Sequence, residues 1–114
     1  THTVQYPSAI AAADVFVYVG NLSPILNKAS RVLRNSDILI FTVEERNHIE
    51  NPEDAGDEGW FLQPSGRFAH RESYIRTVIE KDCEDLRIIS LERITPRYEN
   101  GQPIKGLLVT IVKE

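Results

Sequence analysis

From Ala11 to Glu45 the chain reads AAADVFVYVGNLSPILNKASRVLRNSDILIFTVEE, and the order of apolar and polar segments in this stretch decides the fold. Small and apolar residues over 8–13 predict a short buried strand that ends near Asp14. The VFVYV segment that follows is expected to enter a loop or a tight turn at Gly20-Asn21. A polar residue therefore stands where a strand gives way to a loop.

A helix is predicted next, because the first turn tolerates Pro24 and because Asn21 or Ser23 can accept hydrogen bonds from the free N–H groups of that turn. Its apolar stripe, at spacings of three and four, consists of Ile25, Leu26, Ala29, Val32 and Leu33. The continuous apolar run over 38–43 predicts a strand that is buried on both faces, as in parallel sheets. Strand, helix and strand in this order predict an α/β fold with a right-handed crossover.

The second half of the chain is expected to complete one domain of residues 1–114. The polar stretch over 46–59 predicts a surface loop, either a lid or a disordered segment. Apolar spacing predicts a second helix from about Arg71 to Lys81. Residues 86–94 and 105–113 are predicted to form an antiparallel hairpin, with Asn100-Gly101 accepting positive φ in the connecting loop.

Composition excludes several classes of function. The net charge is -4, and seven of the 17 acidic residues lie between Glu44 and Glu58, so the chain offers no basic face to nucleic acid or to an anionic membrane. Cys83 is the single cysteine, which excludes an internal disulfide and a cysteine-based zinc cluster. It is expected to be a partly buried structural thiol. The absence of a membrane span or signal peptide in the sequence predicts a cytoplasmic location.

Three residues near the end of the first strand are candidates for a ligand site. Asp14 lies where open α/β sheets place their ligand crevice, and its carboxylate can either accept from a bound molecule or cap the loop. The rings of Phe16 and Tyr18 follow on the same loop. Phe16 is expected in the core, whereas Tyr18 can belong to the core or wall a flat ligand.

A second candidate segment is SGRFAH, residues 65–70, which brings a glycine, a fixed cation and an imidazole to the front of the second helix. Arg67 can clamp a carboxylate or phosphate, or it can pair with the acidic loop. His70 can contact a ligand or cap the helix. The histidines lack metal-ligand spacing, and no Ser-His-Asp pattern occurs, so neither a metal site nor a serine nucleophile is predicted.

Four segments together resemble a known family. They are AADVFVYVGNL (12–22), ASRVLRNSDILIFTVE (29–44), LQPSGRFAHRESYIR (62–76) and the terminal GLLVTIVK. They resemble, in order, the C-terminal half of class I S-adenosylmethionine-dependent methyltransferases, most closely the bacterial group found with tetratricopeptide repeats. The resemblance implies a partial Rossmann-like sheet with helices, in which 8–13 is the fourth strand and 37–43 the fifth. The terminal hairpin would be the sixth and seventh strands, with the seventh antiparallel beside the fifth.

The resemblance also implies roles for individual residues. Ala13 and Asp14 would line the methionine end of the cofactor S-adenosylmethionine. The candidates on the acceptor side are Phe16, Tyr18, Arg67, His70 and, on the hairpin loop, Tyr98. The family's glycine-rich turn has no counterpart, since the chain contains no G-x-G. The chain is therefore expected to be the C-terminal portion of a methyltransferase that provides little catalysis alone.

Two alternatives remain open at the level of sequence. The chain can be a non-catalytic methyltransferase-like module that self-associates or binds a partner chain, with a homodimer formed through the exposed edge of the strand at 8–13. It can also be a small α/β ligand-binding domain that uses Arg67 and His70 on an anion.

Overall fold

The computed structural model describes residues 9–12, 16–45 and 59–114. The strands in these ranges are β1 (Ala9–Ala12), β2 (Ile38–Glu45), β3 (Trp60–Leu62), β4 (Phe68–His70), β5 (Leu86–Glu99) and β6 (Gln102–Lys113). The helices are a 3-10 helix (Phe16–Tyr18), α1 (Ser23–Val32) and α2 (Glu72–Thr77), and α2 continues as a π-helix (Val78–Asp82). This alternation confirms the predicted α/β class. The predicted loop over 46–59 lies outside the described residues except for Gly59.

The described strands form one sheet in the order β3-β4-β2-β6-β5, with β1 paired to β2 beside this path. Strand β6 runs antiparallel to β2 along one edge. The other edge of β2 pairs in parallel first with β1, at Ile38 to Phe41, and then with β4, at Glu44 and Glu45. The parallel pairing of β1 with β2 agrees with the crossover predicted from the sequence pattern, and the antiparallel insertion of the last strand agrees with the expectation from the family resemblance.

Helix α1 begins and ends close to the predicted positions. Asn21 Oδ1 accepts a hydrogen bond from the Ser23 N–H at 3.1 Å, which satisfies one free donor of the first turn. The prediction that Val32 belongs to the apolar stripe is wrong, because the residue is 66% exposed. The chain becomes extended at Leu33, so Leu33 enters the core instead.

The core lies on one face of the sheet. Leu39, Phe41 and Val43 of β2 are buried in a cluster to which both α-helices contribute, through residues such as Leu26 and Ile75. The intervening β2 residues are only half-buried. The prediction that β2 is buried on both faces is therefore wrong for the part of the chain that the structure describes, because its two α-helices pack on the same side.

The second half of the molecule contains two hairpins. Strands β3 and β4 pair antiparallel, and the turn between them includes Gly66 at φ 87°. This hairpin was not predicted. In the terminal hairpin, positive φ at Asn100 and Gly101 confirms the predicted turn. The connection is shorter than the predicted loop, since β5 extends to Glu99 and β6 begins at Gln102.

Two further observations bear on the predictions from composition. Cys83 is a free thiol and is buried more completely than predicted, and burial followed by the nearby charge of Asp82 raises its pKa. Among the described residues, no helix has the length and apolar character that crossing a membrane requires.

Candidate functional site

The candidate site lies where the parallel strands β1, β2 and β4 end at the same side of the sheet. The 3-10 helix follows the end of β1, two acidic residues end β2, and His70 ends β4. Open α/β sheets bind ligands at the carboxyl ends of their strands. Several polar side chains from different elements converge at this side.

Glu44 is the centre of these polar contacts, although only 1% of the residue is exposed. Arg97 on β5 donates from Nε to one carboxylate oxygen and from Nη2 to the other, both at 3.0 Å. Gln63 Nε2 donates at 2.9 Å, and Arg67 Nη1 lies 3.5 Å from Oε2. Burial alone would raise the pKa of Glu44, but these hydrogen bonds and positive charges outweigh burial and hold its pKa below the usual value.

Arg67 and Tyr18, both candidate site residues from the sequence, contact each other. The guanidinium carbon of Arg67 lies 5.8 Å from the centre of the Tyr18 ring, within the range of a cation–π contact. The Tyr18 residue is 60% exposed, and the Arg67 side chain is 31% exposed. The structure therefore places a partly exposed cation and an exposed aromatic ring side by side at the carboxyl end of the sheet.

The loop that carries Tyr18 is fixed by the next layer of residues. His70 Nε2 donates to the Gly20 carbonyl oxygen at 3.0 Å. The Tyr74 hydroxyl accepts from the Leu22 N–H at 2.8 Å and donates to Asn21 Oδ1 at 3.3 Å. Hydrogen bonds of this kind, made by buried or half-buried side chains to the loop, set the position of the loop.

His70 itself is completely buried. Because a carbonyl oxygen only accepts, the proton of the neutral ring resides on Nε2. Among the described residues, Nδ1 has no hydrogen-bond partner. Burial lowers the pKa of His70 despite its backbone contacts, so the ring is neutral near pH 7. The structure thus places this predicted site residue beneath the Tyr18 loop.

Glu45 begins a separate cluster on the other face of β2, since successive strand residues point to opposite faces. Arg93 Nε lies 3.3 Å from Glu45 Oε1, and Arg93 Nη2 lies 3.7 Å from Glu72 Oε1 on α2. This second ion-pair cluster is part of the helix-covered side of the sheet. It does not contribute side chains to the Arg67 side.

The remaining predicted site residues are not brought to Arg67 in the same way. Phe16 is buried, and its ring stacks on Phe41 with centroids 4.3 Å apart, which places it in the core. Tyr98 is 70% exposed and lies in strand β5, so its predicted position on the hairpin loop is wrong. Ala13 and Asp14 lie outside the described residues. The described residues contain no group of three or more potential metal ligands placed to hold an ion.

The sequence did not single out Glu44, Gln63 or Arg97. Glu44 was counted with the acidic loop, although two acids at the end of an apolar strand are themselves a signal for a polar site at the sheet edge. The contact between Glu44 and Arg97 spans 53 positions and depends on the register of β6 between β2 and β5. No local pattern identifies it.

No protein-family model matches the chain, and no curated protein matches it. Several solved structures match the chain in fold. An S-adenosylmethionine-dependent methyltransferase from Methanosarcina mazei has a TM-score of 0.67 and 18% identity, covering 92% of this chain and 58% of that protein. The N-methyltransferase NodS from Bradyrhizobium japonicum, in complex with S-adenosyl-L-homocysteine, has a TM-score of 0.55 and 17% identity, covering 92% and 45%. The [4+2]-cyclase SpnF has a TM-score of 0.62 and 14% identity, covering 97% and 52%.

These structures share the fold at low sequence identity, and one of them is named for a cyclase. The chain spans less than two thirds of the length of each of the three. The matched part includes nearly the whole of this chain. The chain therefore has the α/β fold of S-adenosylmethionine-dependent methyltransferases, over about half of their length.

Proposed function

We propose that the chain is the C-terminal portion of an S-adenosylmethionine-dependent methyltransferase and that it carries the acceptor side of the active site. The observation that supports this proposal is the meeting of Tyr18 and Arg67 at the carboxyl ends of the parallel strands. The fold likeness to methyltransferases supports it as well. Within this proposal Tyr18 and Arg67 contact the acceptor. Phe16 and His70, which are buried, position the loop, and Tyr98 is a more distant candidate.

The described residues fit only part of the proposed cofactor. Both acids at the end of β2 are ion-paired, so neither is free to bind a ribose. A glycine-rich turn for the remaining contacts is absent from the sequence. We therefore confine the proposed cofactor contacts of this chain to Ala13 and Asp14. When bound, S-adenosylmethionine supplies a methyl group on a sulfonium, which a nucleophile of the acceptor attacks in line.

Calorimetry tests this proposal. The 114-residue chain is expected to bind S-adenosylmethionine weakly or not at all. A polypeptide that contains this sequence together with an upstream glycine-rich turn is expected to bind it with micromolar affinity. In that longer protein, Asp14→Ala should weaken binding by about tenfold, whereas Asp82→Ala, an exposed control, should change it by less than about twofold.

Two results would contradict the proposal. Micromolar binding by the 114-residue chain would show that it does not depend on a missing half. Absence of binding in the longer protein would remove the methyltransferase assignment itself, whatever the behaviour of the Arg67 side.

A second candidate function is a non-catalytic module that pairs with itself or with another chain. The observation that favours it is the sheet face opposite the helices. Half-buried apolar residues of neighbouring strands lie there, and they are Ile38 and Ile40 on β2 and Leu108 and Val112 on β6. Apolar surface of this kind is stabilised by burial in an interface.

Light scattering over a range of protein concentrations tests the second candidate. A self-associating module forms dimers, and Ile40→Lys should shift the dimer to monomer by placing a charge in the interface. Val32→Lys is the matched control, because Val32 is exposed on α1 rather than on the sheet. A folded monomer at high concentration would argue against self-association.

A further inference from the structure

We propose that Arg67, placed between Glu44 and the ring of Tyr18, binds one carboxylate group, and that the acceptor of the proposed methyl transfer is a monocarboxylate with a flat apolar part. The identification of this ligand as a methyl acceptor rests on the proposed function. The anion site itself rests only on the described geometry.

The first argument is the unused hydrogen-bonding capacity of Arg67. A guanidinium carries five N–H donors. Within the described residues, the Arg67 side chain makes one ion-pair contact, from Nη1 to Glu44 Oε2 at 3.5 Å, and one ring contact with Tyr18. The ion-pair distance is longer than a charge-assisted hydrogen bond. With 31% of the side chain exposed and these two contacts alone among the described residues, Arg67 retains N–H donors for a ligand.

The second argument is that Glu44 attracts Arg67 but cannot accept hydrogen bonds from all of its N–H donors. The Glu44 carboxylate already accepts two hydrogen bonds from Arg97 and one from Gln63. It is buried, and its charge attracts Arg67 from 3.5 Å. By contrast, Arg97 is engaged by Glu44 and also by Glu99, at 3.3 Å. Arg67 is therefore the cation of this group that is available to an incoming anion.

The balance of charge favours a single negative charge on the ligand. Arg97 neutralises Glu44, which leaves the one positive charge of Arg67, and the half-exposed Glu99 further limits the positive potential. A phosphate dianion would be repelled by these two acids more strongly than a monoanion. The planar fork of a guanidinium also matches the two oxygens of a carboxylate.

Tyr18 defines what lies next to the carboxylate. Its ring is exposed, and Arg67 lies over it at 5.8 Å, so the aromatic surface borders the anion position. The hydrogen bonds from His70 Nε2 to the Gly20 carbonyl oxygen and from the Leu22 N–H to the Tyr74 hydroxyl hold the loop in place before any ligand binds. A preorganised apolar wall favours a ligand with a flat ring or chain beside its carboxylate.

NMR titration of the arginine Nε–H resonances in the 114-residue chain tests the proposal with benzoate, benzamide, acetate and inorganic phosphate as probes. Benzoate is expected to shift the Arg67 resonance and to bind about tenfold more tightly than benzamide, its neutral isostere. Acetate and phosphate are expected to bind more weakly than benzoate. Arg67→Gln should weaken benzoate binding by about tenfold.

Matched variants distinguish binding at Arg67 from a general effect of positive charge on benzoate binding. Arg93→Gln removes a cation that pairs with Glu45 on the other face of β2, and it should change benzoate affinity by less than about twofold. Tyr18→Leu should abolish the preference for benzoate over acetate. This second variant leaves Arg67 and its ion pair intact, so it tests the site even if Arg67→Gln fails to fold.

Three results would overturn the proposal: equal affinity for benzoate and benzamide, an equal loss in Arg67→Gln and Arg93→Gln, or tighter binding of phosphate than of benzoate. The titration needs no cofactor. A failure of the anion site therefore differs from a failure of the methyltransferase proposal, which is measured by S-adenosylmethionine binding in the longer protein.

Discussion

At the scale of single residues, the site depends on a carboxylate that is buried because three side chains satisfy it. Glu44→Gln removes the charge that Arg97 and Arg67 share while keeping the shape. We expect a loss of about 2 kcal/mol in the free energy of unfolding at pH 7, measured by urea denaturation, because a partly buried arginine loses its partner. Glu99→Gln, at an exposed acid on the same arginine, should cost less than about 0.5 kcal/mol.

The difference in the free energy of unfolding between the wild type and Glu44→Gln should depend on pH, because the pKa of Glu44 is lowered in the folded state. A carboxyl group whose pKa is lower in the folded state contributes stability above its unfolded pKa, near 4.5, and loses it as the pH falls through the folded pKa. This difference in the free energy of unfolding should therefore decrease as the pH falls below about 4.5. A difference that stays constant down to low pH would contradict the ion-pair role of Glu44.

His70 gives a second prediction at this scale. It is a base, which is charged when protonated, whereas Glu44 is an acid. The pKa of His70 is lowered in the folded state by burial, so the unfolded chain takes up a proton first as the pH falls below about 6.5. Stability should then fall with decreasing pH, with a slope that approaches about 1.4 kcal/mol per pH unit between 6.5 and the folded pKa. Urea denaturation between about pH 5 and pH 7.5 measures this slope.

His70→Gln should remove the slope, because glutamine does not titrate although its amide can still donate to Gly20. If the slope persisted in His70→Gln, the titration of another group would account for it.

At the scale of elements, the long and regular segments could be predicted from sequence. The stripe of α1, the apolar run of β2 and the Asn100-Gly101 turn each carry a local signal. Strands β3 and β4 carry none, since three residues each are too few for an alternating pattern, and β4 is paired along the tip of β2. Their existence depends on a tertiary contact.

The prolines near the terminal turn explain why β5 and β6 were predicted too short. Proline indicates a loop when it is read locally, yet sheets accept it at bulges. Pro96 lies in the irregular stretch of β5 between Ile94 and Arg97, and its ring packs where a side chain of Gly106 would otherwise stand. Arg97, the partner of Glu44, follows this irregular stretch. Its position in the site therefore could not be predicted from the local sequence pattern.

The loop after β1 supplies a prediction at the element scale. A Cβ at Gly20 would lie 2.3 Å from Trp60 Nε1 and 2.9 Å from Phe68 Cε1, so no side chain fits there unless these rings or the loop move. Gly20→Ala should cost about 1–3 kcal/mol in the free energy of unfolding, measured by urea denaturation. The double variant Gly20→Ala with Trp60→Leu should lose less than the sum of the single variants, because the same clash is relieved. Additive losses would mean that the two residues do not compete for space.

At the scale of the whole molecule, the arrangement of strands around a one-sided core predicts unequal stability along the chain. Strand β2 is paired along both edges, and β6 lies between β2 and β5, whereas β1 pairs only with β2 among the described residues. Hydrogen exchange measured by NMR should therefore be slowest for amides of β2 and β6, at rates that report global unfolding. Amides of β1 that point away from β2 should exchange much faster at low protein concentration.

The concentration dependence of exchange in β1 tests whether a self-associating module, the second candidate function, also pairs through the edge of β1. If β1 pairs with a second copy, its outward amides become protected as the protein concentration rises, because each new hydrogen bond forms only in the dimer. The matched reference is the set of β1 amides that face β2, whose protection should not depend on concentration. If the outward amides exchange rapidly at every concentration, the edge is free in the isolated chain. That result would contradict self-association through this edge and would leave the apolar sheet face, which Ile40→Lys tests, as the interface of a self-associating module.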